Sequence, residues 1–228
     1  MTFPNGLNGV KKVFASEILS LIAGVIAIVA AVLGMAALST IEEGQLTTGT
    51  IDSGALAGAG IAGILAIVTS VLLIIALILK LVGLGKAGKD NGAFKTAFTV
   101  AIFALVLTVV TAGLRIFMQN SFVDELVDLI SRICSIAVIF LVVSGIQDFA
   151  AELGDSKMEA KGNSISWVIA IPYFLGAVAV LAQGIFGNNP ESQSFAGILG
   201  IAGAILSVIG SILYLVYLGQ AKKMLRNN

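Results

Sequence analysis

Six apolar runs, set apart by polar joints, pattern the chain: residues 18–38, 54–79, 98–114, 126–146, 165–186 and 195–218. Each comes close to the roughly 20 residues a helix needs to cross a ~30 Å hydrocarbon core. The pattern therefore predicts an all-α fold, a polytopic membrane protein with six transmembrane helices in a single transmembrane domain over residues 1–228. The fourth run is the weakest, because its first two turns carry charges. The longer joints, 39–53 and 147–164, are polar and rich in small residues, and neither is long enough to fold alone.

The runs are also partly copies of one another. Gly63-Ile-Leu-Ala-Ile67 returns as Gly197-Ile-Leu-Gly-Ile201, and Leu81-Val-Gly-Leu-Gly-Lys-Ala87 returns as Leu215-Val-Tyr-Leu-Gly-Gln-Ala221. Over residues 63–89 against 197–223, at a constant offset of 134, 14 of 27 positions are identical. The shared Leu-Val-x-Leu-Gly-x-Ala-x-Lys ending lies outside the apolar core, where low complexity does not account for it. Leu141-Val-Val-Ser-Gly145 closes the fourth run with a fainter version. Runs two, four and six descend in one direction, so three parallel two-helix hairpin repeats are expected, not the inverted halves of many secondary transporters. Mitochondrial carriers share a three-hairpin layout, but their Pro-x-acidic-x-x-basic signature is missing, since Pro172 is followed by Tyr173, Phe174 and Leu175.

Composition agrees with the bilayer as solvent. Hydrophobic residues make up 58% of the chain and charged ones 11%, with a mean hydropathy of +1.05, which leaves too little polar surface for a water-soluble globule. The net charge of zero gives no argument for nucleic acid. Placement of charge says more. Of the 13 basic residues, 11 fall before the first run, in the second and fourth joints, or after the last run. Arg115 and Arg132 fall on the other side, among seven carboxylates. Cytoplasmic loops hold the excess of Lys and Arg, so both termini are expected in the cytoplasm, in the cell membrane. Lys11 and Lys12 before an apolar run resemble a signal peptide, but a signal's apolar core is only about 7–15 residues, so the first run is read as a retained span. The absence of an Asn-x-Ser/Thr acceptor fits a bacterial membrane.

Small residues recur on helix faces. Gly54, Gly58 and Gly63 in the second run and Gly197, Gly200 and Gly203 in the sixth let backbones approach closely, either within the bundle or in a homo-oligomer or with a membrane partner. Pro172 removes a helical hydrogen bond, with Gly176 one turn later, so the pair marks a kink and a candidate hinge. Trp167, Tyr214 and Tyr217, near the inner ends, read as interfacial anchors. Ser207 and Ser211 read as hydrogen-bonding to another helix or to the backbone.

Ionisable groups within hydrocarbon are costly and point to function. Thr108, Thr111 and Arg115 share one face of the third run, and Asp124, Asp128 and Arg132 share one face of the fourth. With Gln183 they form a candidate polar vestibule opening outward. The competing reading is that the arginines snorkel and pair with Asp124 and Asp128 as surface bridges of under ~1 kcal/mol.

For enzyme chemistry the sequence offers little. Cys134 is the single cysteine and there is no histidine, so no zinc or haem ligand set, and no activated nucleophile, can be assembled. Gly83-Leu-Gly-Lys-Ala-Gly88 lacks phosphate-loop spacing and ends a membrane helix. No metal or cofactor is expected. Two non-enzymatic readings remain: a module that binds or transports a small neutral solute, and a structural or accessory protein that assembles through its small-residue faces.

Overall fold

The computed structural model describes residues 3–47, 53–115, 121–186 and 190–227, with side chains over 3–37, 56–110, 130–172 and most of 202–227. The described residues fold into six helices: α1 (Pro4–Thr47), α2 (Ser53–Ala87), α3 (Gly92–Arg115), α4 (Ser121–Glu152), α5 (Ser156–Phe186) and α6 (Pro190–Asn227). Among the described residues, four stretches are long and apolar enough to cross a membrane: Pro4–Ala37, Leu56–Ala87, Gly92–Val110 and Ile130–Glu152. In lipid every backbone polar group must be satisfied internally, which these uninterrupted helices achieve. The large apolar side chains they expose, such as Ile28, Ile67 and Val109, fit a lipid surround. The apolar run expected at 165–186 falls largely, and the one at 195–218 partly, on residues whose side chains lie outside those described.

The helices overrun the apolar segments. Helix α1 has 44 residues, about 66 Å at 1.5 Å per residue, and begins four turns ahead of the first apolar run. The joint expected over 147–164 is in fact two helix ends and a tight corner. The end of α4 continues through Gln147-Asp-Phe-Ala-Ala-Glu152, because Phe149 and Ala150 are fully buried there and hold the helix in place beyond the apolar run.

That corner is closed by local chemistry. Gly154 adopts φ +72°, the left-handed conformation that glycine takes without a Cβ penalty. Gly154 N–H then donates to the Ala151 carbonyl at 3.1 Å and Asp155 N–H to the Ala150 carbonyl at 2.8 Å, the paired bonds of a Schellman ending. The Asp155 side chain in turn accepts from Met158 N–H at 3.1 Å and so caps α5. The α2–α3 corner shares the side-chain cap but not the left-handed glycine. Asn91 Oδ1 accepts from Ala93 N–H at 2.8 Å and Phe94 N–H at 3.4 Å, capping α3.

The chain divides into two compact units, residues 15–80 and residues 1–14 with 81–228. In the 15–80 hairpin, a Cβ on Gly58 would stand 3.4 Å from the Ala37 Cβ, and one on Gly34 would stand 3.7 Å from the Ala62 Cβ, so the two helices approach closely there. Lys80 Nζ pairs with Glu17 Oε1 at 2.8 Å, a charge pair near the ends of the two apolar runs.

The other unit holds the main core. Leu7, Val10 and Val13 of α1 join Leu84 and Ala87 of α2, Phe94 and Ala97 of α3, Val142, Ile146 and Phe149 of α4, Met158 of α5, and Tyr217, Leu218 and Ala221 of α6. All these positions lie toward the lysine-bearing helix ends, so the densest packing is at one end of the unit. Tyr214 and Tyr217, expected at the headgroups, are instead 3% and 1% exposed. The reason is tertiary: α6 continues past its apolar run, and Gly162 of α5 leaves the slot that the Tyr217 ring fills. A Cβ on Gly162 would stand 2.6 Å from the Tyr217 hydroxyl. Trp167, by contrast, is 69% exposed, as an interfacial anchor would be.

Candidate functional site

Of the expected vestibule, Thr108 and Arg132 are the members with described side chains, and both are exposed. The Thr108 hydroxyl donates to the Ala104 carbonyl at 2.9 Å, so its hydrogen bond is spent within its own helix. Helices α3 and α4 pack against each other, which brings the two expected stripes onto neighbouring elements. Thr111, Arg115, Asp124, Asp128 and Gln183 lie on α3, α4 and α5, with side chains outside those described.

The small residues divide. A Cβ on Gly203 would stand 3.6 Å from the Pro172 carbonyl oxygen, and one on Gly210 would stand 3.8 Å from the Val168 carbonyl oxygen, which is the acceptor that Pro172 deprives of its helical donor. Helix α6 thus lays glycines along the proline-modified stretch of α5, which runs as one helix through Pro172. Gly63, like Gly60, meets nothing within 4 Å. Gly54, Gly176, Gly197 and Gly200 lie in helices outside the described side chains.

The best-built arrangement lies at the lysine-bearing end and was not read from the sequence. The first helix begins at Pro4, after the apolar Phe3, and Asp90, from the α2–α3 corner, caps it. Its Oδ2 accepts from Gly6 N–H at 2.7 Å and its Oδ1 from Asn5 Nδ2 at 2.9 Å. A carboxylate at a helix N-terminus also meets the positive end of the helix dipole. Next to it, Asn91 Nδ2 donates to Asp148 of α4 at 2.9 Å. The neighbouring Gln147 donates to the Glu159 carbonyl of α5 at 3.0 Å, and Lys161 of α5 donates to Gln220 of α6 at 3.1 Å. The circuit closes where Lys222 of α6 stands 4.6 Å from the centre of the Phe14 ring of α1.

Inside this polar belt the packing is tight. A Cβ on Gly9 would lie 2.5 Å from the Gly83 carbonyl, and one on Gly83 would lie 2.8 Å from the Gly9 carbonyl, so α1 and α2 touch backbone to backbone. Phe149 packs on Phe3 and Phe94, with ring centroids 4.6 and 5.7 Å apart. A Cβ on Gly85 would lie 3.5 Å from the Phe98 ring of α3, and one on Gly219 would lie 3.6 Å from the Phe14 ring of α1. Belt and core together make a close-packed floor. Asn91 and Asp155 could have been found as helix caps from the Asn-Gly and Gly-Asp-Ser turns. The bonds of Asp90, Gln147 and Gln220 join distant segments and leave no local signal.

Among the described residues, no three of His, Cys, Asp and Glu come together as a metal site, and Cys134 is a buried free thiol. The class defined by the fold is therefore an all-helical protein with membrane-type helices. No protein-family model, curated protein or solved structure matches the chain.

Proposed function

We propose that the chain is a non-enzymatic integral membrane protein, crossing six times with both termini in the cytoplasm, that binds or passes a small neutral solute entering from the face opposite the lysines. The observation that carries this reading is the close-packed floor. A unit closed at one end by a belted, close-packed core is suited to a cup that receives a solute, and unsuited to an open pore. The rim of the cup is assigned to Thr108, Thr111, Arg115, Asp124, Asp128, Arg132 and Gln183, supported by the packing of α3 on α4.

A double-mutant cycle tests it. Arg132→Gln and Asp128→Asn, singly and together, are compared for thermal stability in detergent and for solute uptake by proteoliposomes. A working rim requires a coupling energy on the order of 1 kcal/mol or more and altered uptake in both single variants. Additive, near-neutral variants would reduce the charges to interfacial snorkelling and remove the site.

One observation favours a second reading. In the 15–80 hairpin, Gly60 and Gly63 lie on α2 with nothing within 4 Å of where a Cβ would stand, a small-residue face open to close approach by another helix. An assembly protein would use such a face against a second copy or a membrane partner. The native mass in detergent separates the readings, since a monomer that retains solute uptake removes the assembly role.

A further inference from the structure

We infer that the floor carries a selective site for the headgroups of anionic phospholipids, on the arc formed by α6, α1, α2 and α3. This rests on the membrane reading of the helices and is independent of the solute role.

The arc is contiguous: α6 meets α1 at Gly219 and Phe14, α1 meets α2 at Gly9 and Gly83, and α2 meets α3 at Gly85 and Phe98. It carries a one-sided charge. Lys11, Lys86, Lys89, Lys95, Lys223 and Arg226 are all exposed, and Lys222 is held over Phe14. Among the described residues, the carboxylate that the ends of these helices contribute to this unit is Asp90, and both of its oxygens are occupied by the start of α1. Among the described residues these basic groups form no salt bridge. The opposite arc differs, because on α4 and α5 Glu152 and Glu159 are exposed beside Lys157 and Lys161 and offset them.

Depth selects the occupant. These basic residues follow or precede the apolar runs by three to ten residues, about one to three helical turns or roughly 5–15 Å, which covers the headgroup layer and its aqueous edge for a bilayer whose hydrocarbon the runs span. Flexible ammonium groups at that depth on four helix ends match a layer of phosphodiesters, which clusters of basic residues beside a span attract. An acidic protein partner would need the same charges to form a face projecting into water.

The test uses the full-length chain, delipidated in detergent and titrated with phosphatidylglycerol or phosphatidylcholine, with bound lipid counted by native mass spectrometry. Wild type should retain phosphatidylglycerol over phosphatidylcholine by roughly tenfold or more, and added salt should reduce the preference. The triple variant Lys86→Gln, Lys89→Gln, Lys95→Gln should lose most of that preference. The charge-preserving triple Lys→Arg variant should keep it, at unchanged helical content. Lys157→Gln, on the offset arc, should lower it less than Lys89→Gln does. Equal retention of both lipids by wild type overturns the inference, as does a Gln triple variant that is folded and still selective. Binding of a polyglutamate peptide without lipid preference also overturns it and points to an acidic protein instead.

Discussion

Replacing Gly9 by alanine adds one methyl group at the place where α1 and α2 touch. The new Cβ would stand 2.5 Å from the Gly83 carbonyl oxygen, and 2.6 Å from both the Ala87 Cβ and the Ala87 nitrogen. Two of these three atoms are backbone, so no side-chain rotation relieves the contact and the helices must separate. Overpacking of this kind costs about 1–3 kcal/mol. At Gly60 or Gly63 the same change meets nothing within 4 Å and gains helix propensity of up to ~1 kcal/mol. Gly9 is helical too and gains the same propensity, so the two sites should differ by the overpacking cost, about 1–3 kcal/mol, which for a chain of this size corresponds to roughly 2–12 °C in melting temperature. Circular-dichroism melts of Gly9→Ala, Gly83→Ala, Gly60→Ala and Gly63→Ala in one detergent measure this. The first pair should melt below the second, and the second pair at or slightly above wild type. A Gly9→Ala protein as stable as Gly60→Ala would refute the close contact and the close-packed floor built on it.

Asp90→Ala removes the cap of α1 and should cost about 1–2 kcal/mol, with faster amide exchange at Gly6; unchanged exchange there would disprove the cap. Tyr217 carries a buried hydroxyl with no hydrogen-bond partner in the structure, so Tyr217→Phe should be neutral or stabilising. The same change should partly rescue Gly162→Ala, whose Cβ meets that hydroxyl at 2.6 Å, and simple additivity of the pair would count against the slot. For orientation, single cysteines at Glu42, Asp90, Ser156 and Gln193 in a Cys134→Ser background are exposed to an impermeant thiol reagent on intact cells. The Glu42 and Gln193 positions should label and the other two should not, and labelling at Asp90 rules out the six-span arrangement.

The helices and the solvent that suits them were legible in the residues alone, because hydropathy and backbone satisfaction in lipid act locally along the chain. The caps at Asn91 and Asp155 were accessible for the same reason, each being a short-range bond between a side chain and the next turn. Helix length was not, since an apolar run measures the thickness of hydrocarbon to be crossed, whereas α1 and α4 continue as far as packing at Leu7, Val10 and Phe149 supports them. Tyr217 looked like a headgroup anchor because amphipathic rings near a span end usually are; the glycine 55 residues earlier in the chain, Gly162, turned it inward. The Asp90 cap, the Gly9–Gly83 contact and the Lys222–Phe14 closure join segments about 70 to 210 residues apart. Such partners are chosen by the shape of the assembled helices and by which polar groups burial leaves in need of a bond, and only the tertiary structure decides them.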